Sequence, residues 1–418
     1  MKKIVFGVIT MGVALGLLFT VLPALADSPT VTEFPVCTNA SEQRDPAISG
    51  NIVVWRDYRS GTNHDIYGYN LSSSFEFPIC TNSADEYYPA VWGDIVVWED
   101  MRNLNSDIYG CNLSTFIEGP VCTNSSTQYS PAISGDIVVW RDNRHGNWDI
   151  YGFNLSSSNE FPVCNNSSGQ YGPAISGDIV VWYDLRNGNY DIYGYNLSSS
   201  MEFPICNNSS DQREPAVSGD VVVWVDERNG NYDIYGCNLS SFTEFPVCTN
   251  SSHQLYLAVF GDIVVWADYR NGNWDVYGYD LSTSTEFPIC NNSLSQGSPA
   301  IWGDIVVWED YRNNNDDIYG AELGWPTPTP TVSPSPTPTE SPTPTTSPTP
   351  TSVPNPGDVN DDGRINCLDI TQCELCILYP GLYPKENYPG WDANEDSEGP
   401  NAGDILAVEY RILELWPP

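Results

Sequence analysis

A Val-Val-Trp triplet that recurs seven times constrains the fold of this chain more than any other feature. The spacing between successive tryptophans is 43 residues once and 42 residues five times. Each tryptophan follows a cysteine by 18 residues and precedes an Asp-Ile/Val-Tyr-Gly segment. The tryptophans are Trp55, Trp98, Trp140, Trp182, Trp224, Trp266 and Trp308. Short strands at a period near 42 predict the blades of a β-propeller and argue against a helical solenoid.

One unit of the repeat reads as four strands. Residues 173–176 form a short apolar segment. The tight turn Gly177-Asp178 then leads into a continuous run of β-branched and aromatic residues, 179–182. Such a run is typical of a strand that is buried on both faces. A hairpin turn at Asn187-Gly188 follows, because Asn-Gly tolerates positive φ. Residues 191–197 and 202–206 complete the predicted blade.

The strands do not divide evenly along the chain. The first copy begins with an isolated fourth-strand element, and the last copy ends on its third strand, residues 317–323. We therefore predict that residues 31–37 supply the outer strand of the seventh blade, which would close the ring and remove two open sheet edges. The predicted fold is an all-β, seven-bladed propeller that is closed by an N-terminal strand and followed by a small α-helical module.

The repeat resembles a known family. The pattern Pro-Ala-Ile-Ser-Gly-Asp, then Val-Val-Trp, then Asp-x-Arg-Asn-Gly-Asn-x-Asp-Ile-Tyr is similar to the TolB-type propeller repeats of exported and cell-surface proteins. The similarity covers residues 31–323. It implies a propeller fold and a tendency to bind partners or glycans, and it does not imply an activity.

Each repeat also carries a charged turn, for example Asp184, Arg186 and Asp191. We interpret it as an Asp–Arg pair that braces the turn, because an arginine among the carboxylates disfavours the alternative, a ring of cation sites. The recurring cysteines are interpreted as small buried apolar residues. Two further cysteines, Cys111 and Cys237, leave disulfides with Cys122 and Cys248 as an alternative.

Function is expected where the repeats differ on one face of the ring. The first positions of each inner strand and the turn after the second strand of each blade open on the same face, and they carry aromatic and charged residues. Such residues suit sugar stacking or a protein groove, although they could also only pack blade against blade. The predicted ligand-contacting residues are Arg44, Tyr87, Tyr88, Tyr129, Trp148, Tyr171, Tyr190, Arg213, Tyr232, Tyr256 and Trp274.

The net charge and the N-terminal residues of the chain predict its class of partner and its localisation. The chain has 54 acidic and 16 basic residues, a net charge of −38, which disfavours any nucleic-acid partner. Lys2 and Lys3, the apolar stretch 4–22 and Ala24-Leu25-Ala26 predict a cleaved signal peptide over residues 1–26, with an uncleaved anchor as the alternative. We expect an extracellular, cell-surface-associated protein without a membrane span after cleavage. Asn-x-Ser/Thr sites such as Asn70 and Asn196 permit glycosylation.

No catalytic constellation stands out in the sequence. The three histidines, His64, His145 and His253, fall on distant blades, and no Gly-x-Ser-x-Gly nucleophile turn occurs. Some propellers of this general type are polysaccharide lyases that use a His-centred metal cluster, and that cluster is not matched here. We predict a non-catalytic protein, with a polysaccharide lyase or hydrolase and a glycosylated surface-layer component as alternatives.

The C-terminal part divides into a Pro/Thr-rich linker, residues 325–356, and a module, residues 357–418, that follows the propeller of residues 27–324. The module contains two loops of oxygen-bearing side chains, the first with a glycine at its sixth position, as calcium loops require. The candidate calcium ligands are Asp358, Asn360, Asp362, Arg364, Asn366 and Asp369 in the first loop, and Asp392, Asn394, Asp396, Glu398 and Asp404 in the second.

Two such loops after a Pro/Thr linker resemble a type I dockerin. The resemblance implies two bound Ca²⁺ ions and a cohesin domain as partner. The second loop departs from the pattern, because Ser397 stands where glycine is expected and one residue is inserted. The resemblance places the cohesin-contacting residues at Cys367, Leu368, Ala402 and Gly403. The propeller would then bind a polysaccharide or a surface protein.

Overall fold

The computed structural model describes residues 28–326. Residues 1–27 and 327–418 hold the predicted signal peptide, almost all of the linker and the dockerin-like module. Those predictions therefore lie outside the described residues. No helix that could span a membrane occurs in the described part.

The described chain consists of 28 strands. In chain order they are β1 (Thr30–Cys37); β2 (Gln43–Ser49), β3 (Ile52–Asp57), β4 (Asp65–Asn70), β5 (Phe75–Cys80); β6 (Glu86–Trp92), β7 (Ile95–Asp100), β8 (Asp107–Asn112), β9 (Ile117–Cys122); β10 (Gln128–Ser134), β11 (Ile137–Asp142), β12 (Asp149–Asn154), β13 (Asn159–Cys164); β14 (Gln170–Ser176), β15 (Ile179–Asp184), β16 (Asp191–Asn196), β17 (Met201–Cys206); β18 (Gln212–Ser218), β19 (Val221–Asp226), β20 (Asp233–Asn238), β21 (Thr243–Cys248); β22 (Gln254–Phe260), β23 (Ile263–Asp268), β24 (Asp275–Asp280), β25 (Thr285–Cys290); β26 (Gln296–Trp302), β27 (Ile305–Asp310) and β28 (Asp317–Gly324).

The strands form seven four-stranded antiparallel sheets, so the predicted propeller is confirmed. Six blades are simple meanders, from β2–β5 to β22–β25. The seventh has the order β1-β28-β27-β26, in which the first strand of the chain pairs with the last. Thr30 lies opposite Gly324, and Phe34 lies opposite Gly320. The N-terminal strand therefore closes the ring, as its position in the sequence predicted.

The blades pack side by side around one axis. Each inner strand contacts the inner strands of both neighbouring blades, including β2 with β26 across the closure. The apolar cores lie between blades, as where Val54 and Ile66 pack against Val96 and Trp98 of the next blade. All seven repeat tryptophans are fully buried. The Val-Val-Trp run is continuous because both faces of this strand are covered.

The charged turn is a structural brace. In blade four, Asp184 accepts hydrogen bonds from Trp182 Nε1 at 3.1 Å and from Arg186 Nη2 at 2.6 Å. The Arg186 guanidinium also bonds Glu202 on the outer strand and lies 4.0 Å from the centre of the Tyr193 ring. The Trp–Asp–Arg contacts recur in the other six blades. This pattern agrees with the bracing interpretation, because each arginine already neutralises its own carboxylates.

The nine cysteines of the described residues are buried and free. Cys111 lies opposite Glu118 in its hairpin, whereas Cys122 lies opposite Ile108, so the two sulfurs are not cross-strand partners. The alternative of two hairpin disulfides is therefore wrong in this structure. The seven repeat cysteines are not purely apolar contacts either, because Arg186 Nη2, for example, donates to Cys164 Sγ at 3.4 Å.

Candidate functional site

One face of the ring, here called the mouth face, carries the β3–β4 turn and its equivalents together with the segments that lead into the next blade. Backbone hydrogen bonds join the two sets across each blade boundary. The Gln170 amide donates to the Trp148 carbonyl at 2.8 Å, and the Gln254 amide donates to the Tyr232 carbonyl at 2.8 Å. The predicted ligand-contacting residues therefore do share one face.

Most of the predicted aromatic residues meet other aromatic rings on this face. Three pairs lie within one blade, where Tyr129 is 5.5 Å from Trp148, Tyr171 is 5.8 Å from Tyr190, and Tyr256 is 6.5 Å from Trp274, measured between ring centroids. Two contacts cross a blade boundary, between Tyr87 and His64 and between Tyr232 and His253. These rings are half-buried, apart from the exposed Tyr256 and His253, so they pack against one another and still present surface to solvent.

The two predicted arginines of this face are engaged in ion pairs. Arg44 Nη2 lies 2.6 Å from Asp316 Oδ2, a contact between blades one and seven. Arg213 Nη2 lies 2.5 Å from Asp211 Oδ2, and its guanidinium lies 4.6 Å from the centre of the Tyr190 ring. Both arginines therefore hold the mouth face together.

A cavity of about 560 Å³ opens at the centre of the mouth face. Three of the predicted residues line it, namely Tyr88, Tyr129 and Tyr256. The other lining residues are Glu99, Ser130, Arg141, Gly172, Pro173, Tyr183, Glu214, Pro215 and Leu257. The cavity combines tyrosine rings with charged and hydroxyl groups, which is the composition of a site for a polar, hydroxyl-rich ligand.

Two repeat positions build this cavity. One is the first residue of the β-bulge in each inner strand, where φ lies between +47° and +56°, as at Tyr88 and Ser130. The other is the variable residue in each Val-Val-Trp-x-Asp strand, which lies opposite the residue before the bulge, as Arg141 lies opposite Tyr129. These variable residues are Arg56, Glu99, Arg141, Tyr183, Val225, Ala267 and Glu309.

The sequence prediction missed this second set of residues. The signal was present, because one position varies between an invariant tryptophan and an invariant aspartate within a buried strand. A position that is free to change inside a fixed strand is free to serve a ligand. The face toward which this side chain points depends on the β-bulge, and the alternation of hydrophobic residues in the sequence does not reveal a bulge.

Burial raises the pKa of three carboxyl groups of this face, Glu99 and Glu214 in the cavity wall and Glu309 at the position in blade seven that is equivalent to Glu99. Burial raises the pKa of Glu99 to about 7, and burial raises the pKa of Glu309 to about 7. Glu99 accepts a hydrogen bond from the Ser130 amide at 2.6 Å, and Glu309 accepts one from the Asp45 amide at 2.7 Å. Asp45 in turn pairs with Arg56 at 2.5 Å. Glu99, Glu309 and Asp45 are thus each held by a backbone or side-chain donor.

The histidines do not converge. His64 lies 3.1 Å from Asp85, His145 lies 2.8 Å from the Tyr151 hydroxyl, and His253 accepts from the Tyr232 amide. Within residues 28–326, Cys80, Glu86 and Asp100 are the one group of three metal-binding side chains whose ligand atoms come together. Arg102 Nη2 donates to both Cys80 Sγ and Asp100 Oδ2, so a cationic side chain already contacts two of the three ligand atoms.

Solved structures with this architecture include enzymes and domains of enzymes. An oligogalacturonate lyase from Vibrio parahaemolyticus matches with a TM-score of 0.55 and 12% identity, over 71% of this chain and 97% of that chain. The β-propeller domain of the Trilobed protease from Pyrococcus furiosus, reported to have an open velcro topology, matches with a TM-score of 0.55 and 13% identity, over 67% of this chain and 93% of that domain. No protein-family model and no curated protein matches the sequence.

These similarities define the class of protein. The chain contains a seven-bladed β-propeller of the fold shared by oligogalacturonate lyases and peptidase propeller domains. At these identities the likeness shows the fold alone. In contrast to an open velcro arrangement, β1 completes the seventh blade of this chain.

Proposed function

We propose that this chain is an extracellular, non-catalytic binding protein whose propeller holds a polysaccharide at the mouth face. The observation that carries the proposal is the central cavity with its tyrosines, Tyr88, Tyr129, Tyr183 and Tyr256. Tyrosine rings stack on the apolar faces of sugar rings, and their hydroxyl groups bond sugar hydroxyls. The half-buried aromatic pairs around the cavity extend this surface outward. A surface protein is the alternative occupant.

A polysaccharide-degrading activity is the second candidate. The likeness to an oligogalacturonate lyase favours it, and the cavity contains Glu99, a carboxyl group whose pKa burial raises to about 7. A base that titrates near neutral pH suits proton abstraction. We favour binding because, in the described residues, the histidines are spread over distant blades and each already has a local partner.

One experiment separates the two candidates. The full chain is incubated with cellulose, xylan, pectate and methyl-esterified pectin, and both protein depletion and new chain ends are measured. We expect depletion by at least one polysaccharide without new ends. New ends would replace the binding proposal with the enzymatic one. A blank on both readouts would leave a protein partner or a surface-layer role.

We further propose that residues 357–418 form a dockerin that attaches the propeller to a cohesin-bearing assembly at the cell surface. The support is the spacing of oxygen donors in the sequence, above all Asp358, Asn360, Asp362 and Asp369. Calcium would order these loops, because a cluster of carboxylates repels itself without a cation.

Removal of calcium tests this second proposal. We expect a chelator to abolish binding of the full chain to an immobilised type I cohesin, and added Ca²⁺ to restore it. The variant Asp358→Ala should weaken binding by about tenfold or more, since it removes the first ligand of the loop. The control Asp178→Ala lies on an exposed propeller turn and should have no effect. Full binding in the presence of chelator would contradict the proposal.

A further inference from the structure

We propose that Arg141 makes the central cavity a binding site for a carboxylate-bearing sugar, that is, a uronate unit of an acidic polysaccharide. This inference rests on the proposed function and names the class of glycan. It is drawn from the surroundings of one guanidinium group, which differ from those of every other arginine in residues 28–326.

Arg141 has no carboxylate partner. Residues 28–326 contain eleven arginines, and ten of them lie within 4.0 Å of an aspartate or glutamate oxygen. Arg141 is the exception within this range, and its buried Nε has no hydrogen-bond acceptor there. Burial raises the pKa of Glu99 in the same cavity and the charge of Arg141 opposes this shift, yet no oxygen of Glu99 lies within ion-pair distance of the guanidinium. Its positive charge is therefore available to a ligand.

Aromatic rings surround this guanidinium. Its central carbon lies 4.9 Å from the Trp148 ring centroid, 5.2 Å from that of Tyr129 and 6.0 Å from that of Tyr171. Aromatic faces stabilise a cation without neutralising it, and they limit its motion. The arginine is thus held in place at the cavity wall with its charge intact. By comparison, the Arg56 guanidinium in blade one pairs with Asp45.

The shape of the site favours a carboxylate on a sugar. A guanidinium binds a carboxylate through two parallel hydrogen bonds, which gives both strength and orientation. The exposed tyrosines of the cavity, Tyr88 and Tyr256, offer ring faces for a pyranose. A cavity of about 560 Å³ lies within the usual range for small-ligand sites.

Binding of tetragalacturonate to the full chain tests the inference, with its methyl ester as a neutral probe of the same size. We expect measurable binding of the acid. The affinity for the ester should be lower by about tenfold or more, since the ester removes the charge-assisted hydrogen bonds. Arg141→Gln should lower affinity for the acid by about tenfold to 100-fold and leave affinity for the ester unchanged. Arg141→Lys should recover part of the loss, because it restores charge but not the fork.

A matched control separates this site from general electrostatics. Thr32→Asp changes the net charge by the same one unit, but on the exposed outer strand of the seventh blade and outside the cavity lining, so affinity for tetragalacturonate should change less than about twofold. Equal affinity for acid and ester, or an unchanged affinity in Arg141→Gln, would overturn the inference. Binding of neutral polysaccharides alone would overturn it while the proposed function stands. If tetragalacturonate binds in a way that depends on Arg141 but no polysaccharide binds, the inference stands and the proposed function is contradicted.

Discussion

Deleting residues 27–38 from the full chain lowers the stability of the propeller by at least about 5 kcal/mol, because the outer strand of the seventh blade is lost. Val36 and Cys37 are 7% and 5% exposed and would leave the apolar core between blades seven and one. The Phe34 ring, which covers Gly320, would leave as well. Arg312 would also lose Glu33, which it contacts at 2.8 Å. For a domain of this size the loss corresponds to a fall in Tm of about 8 °C or more.

Calorimetry of the propeller transition measures this effect. Val36→Asp should also lower Tm, because it places a charge among buried side chains. Thr32→Asp, on an exposed position of the same strand, should leave Tm within about 1 °C. A synthetic peptide of residues 28–38 should restore part of the lost Tm by pairing with the open edge of β28. An unchanged Tm in the deletion variant would mean that β1 does not hold the ring closed.

The sequence was sufficient to predict the blades because the repeat supplies seven observations of each position. Trp182 and Asp184 recur in every copy, and both are fully buried in the structure. The inner strand was predicted at residues 173–176, whereas the structure has Gln170–Ser176. Gln170 and Tyr171 pair with Asp184 and Tyr183 beyond a β-bulge. A bulge breaks the alternation of side chains, so a pattern of apolar residues does not extend across it.

The sequence predicted only some of the residues of the candidate site. The sequence placed Tyr129 and Trp148 on one face, but it did not place Arg141 against both rings. That contact depends on cross-strand register and on the positive φ at Ser130, both of which are tertiary properties. The ligand-binding role of the mouth face stays a prediction, as does every prediction about the calcium loops.

Glu86 is the one exception at a position that is glutamine in the other six blades, the first residue of the inner strand. Six blades carry a buried glutamine at this position, and each glutamine donates its side-chain amide to a backbone carbonyl two residues earlier, as Gln128 does to Ser126 at 2.5 Å. Glu86 is equally buried, and neither of its carboxyl oxygens has a partner in the described structure. Burial and the nearby Asp100 raise the pKa of Glu86 to about 9. We infer that Glu86 is protonated in the folded protein.

The variant Glu86→Gln should therefore stabilise the protein at neutral pH. The folded state keeps a proton that the unfolded chain, with a glutamate pKa of about 4.3, has released. Folding thus becomes less favourable as pH rises, by about 1.4 kcal/mol per pH unit between roughly pH 4.5 and pH 9. Glutamine removes this dependence. The expected gain is about 3 kcal/mol at pH 7 and close to zero near pH 4.

The reciprocal variant Gln128→Glu supplies a matched control in the next blade. It places a carboxyl group at an equivalent position that is 0% exposed, so it should lose about what Glu86→Gln gains, with the same dependence on pH. Urea unfolding at pH 5, 7 and 8.5 measures both differences. A stability difference between wild type and Glu86→Gln that stays constant across these pH values would show that Glu86 does not take up a proton on folding. A loss of stability in Glu86→Gln at pH 7 would likewise contradict a protonated Glu86.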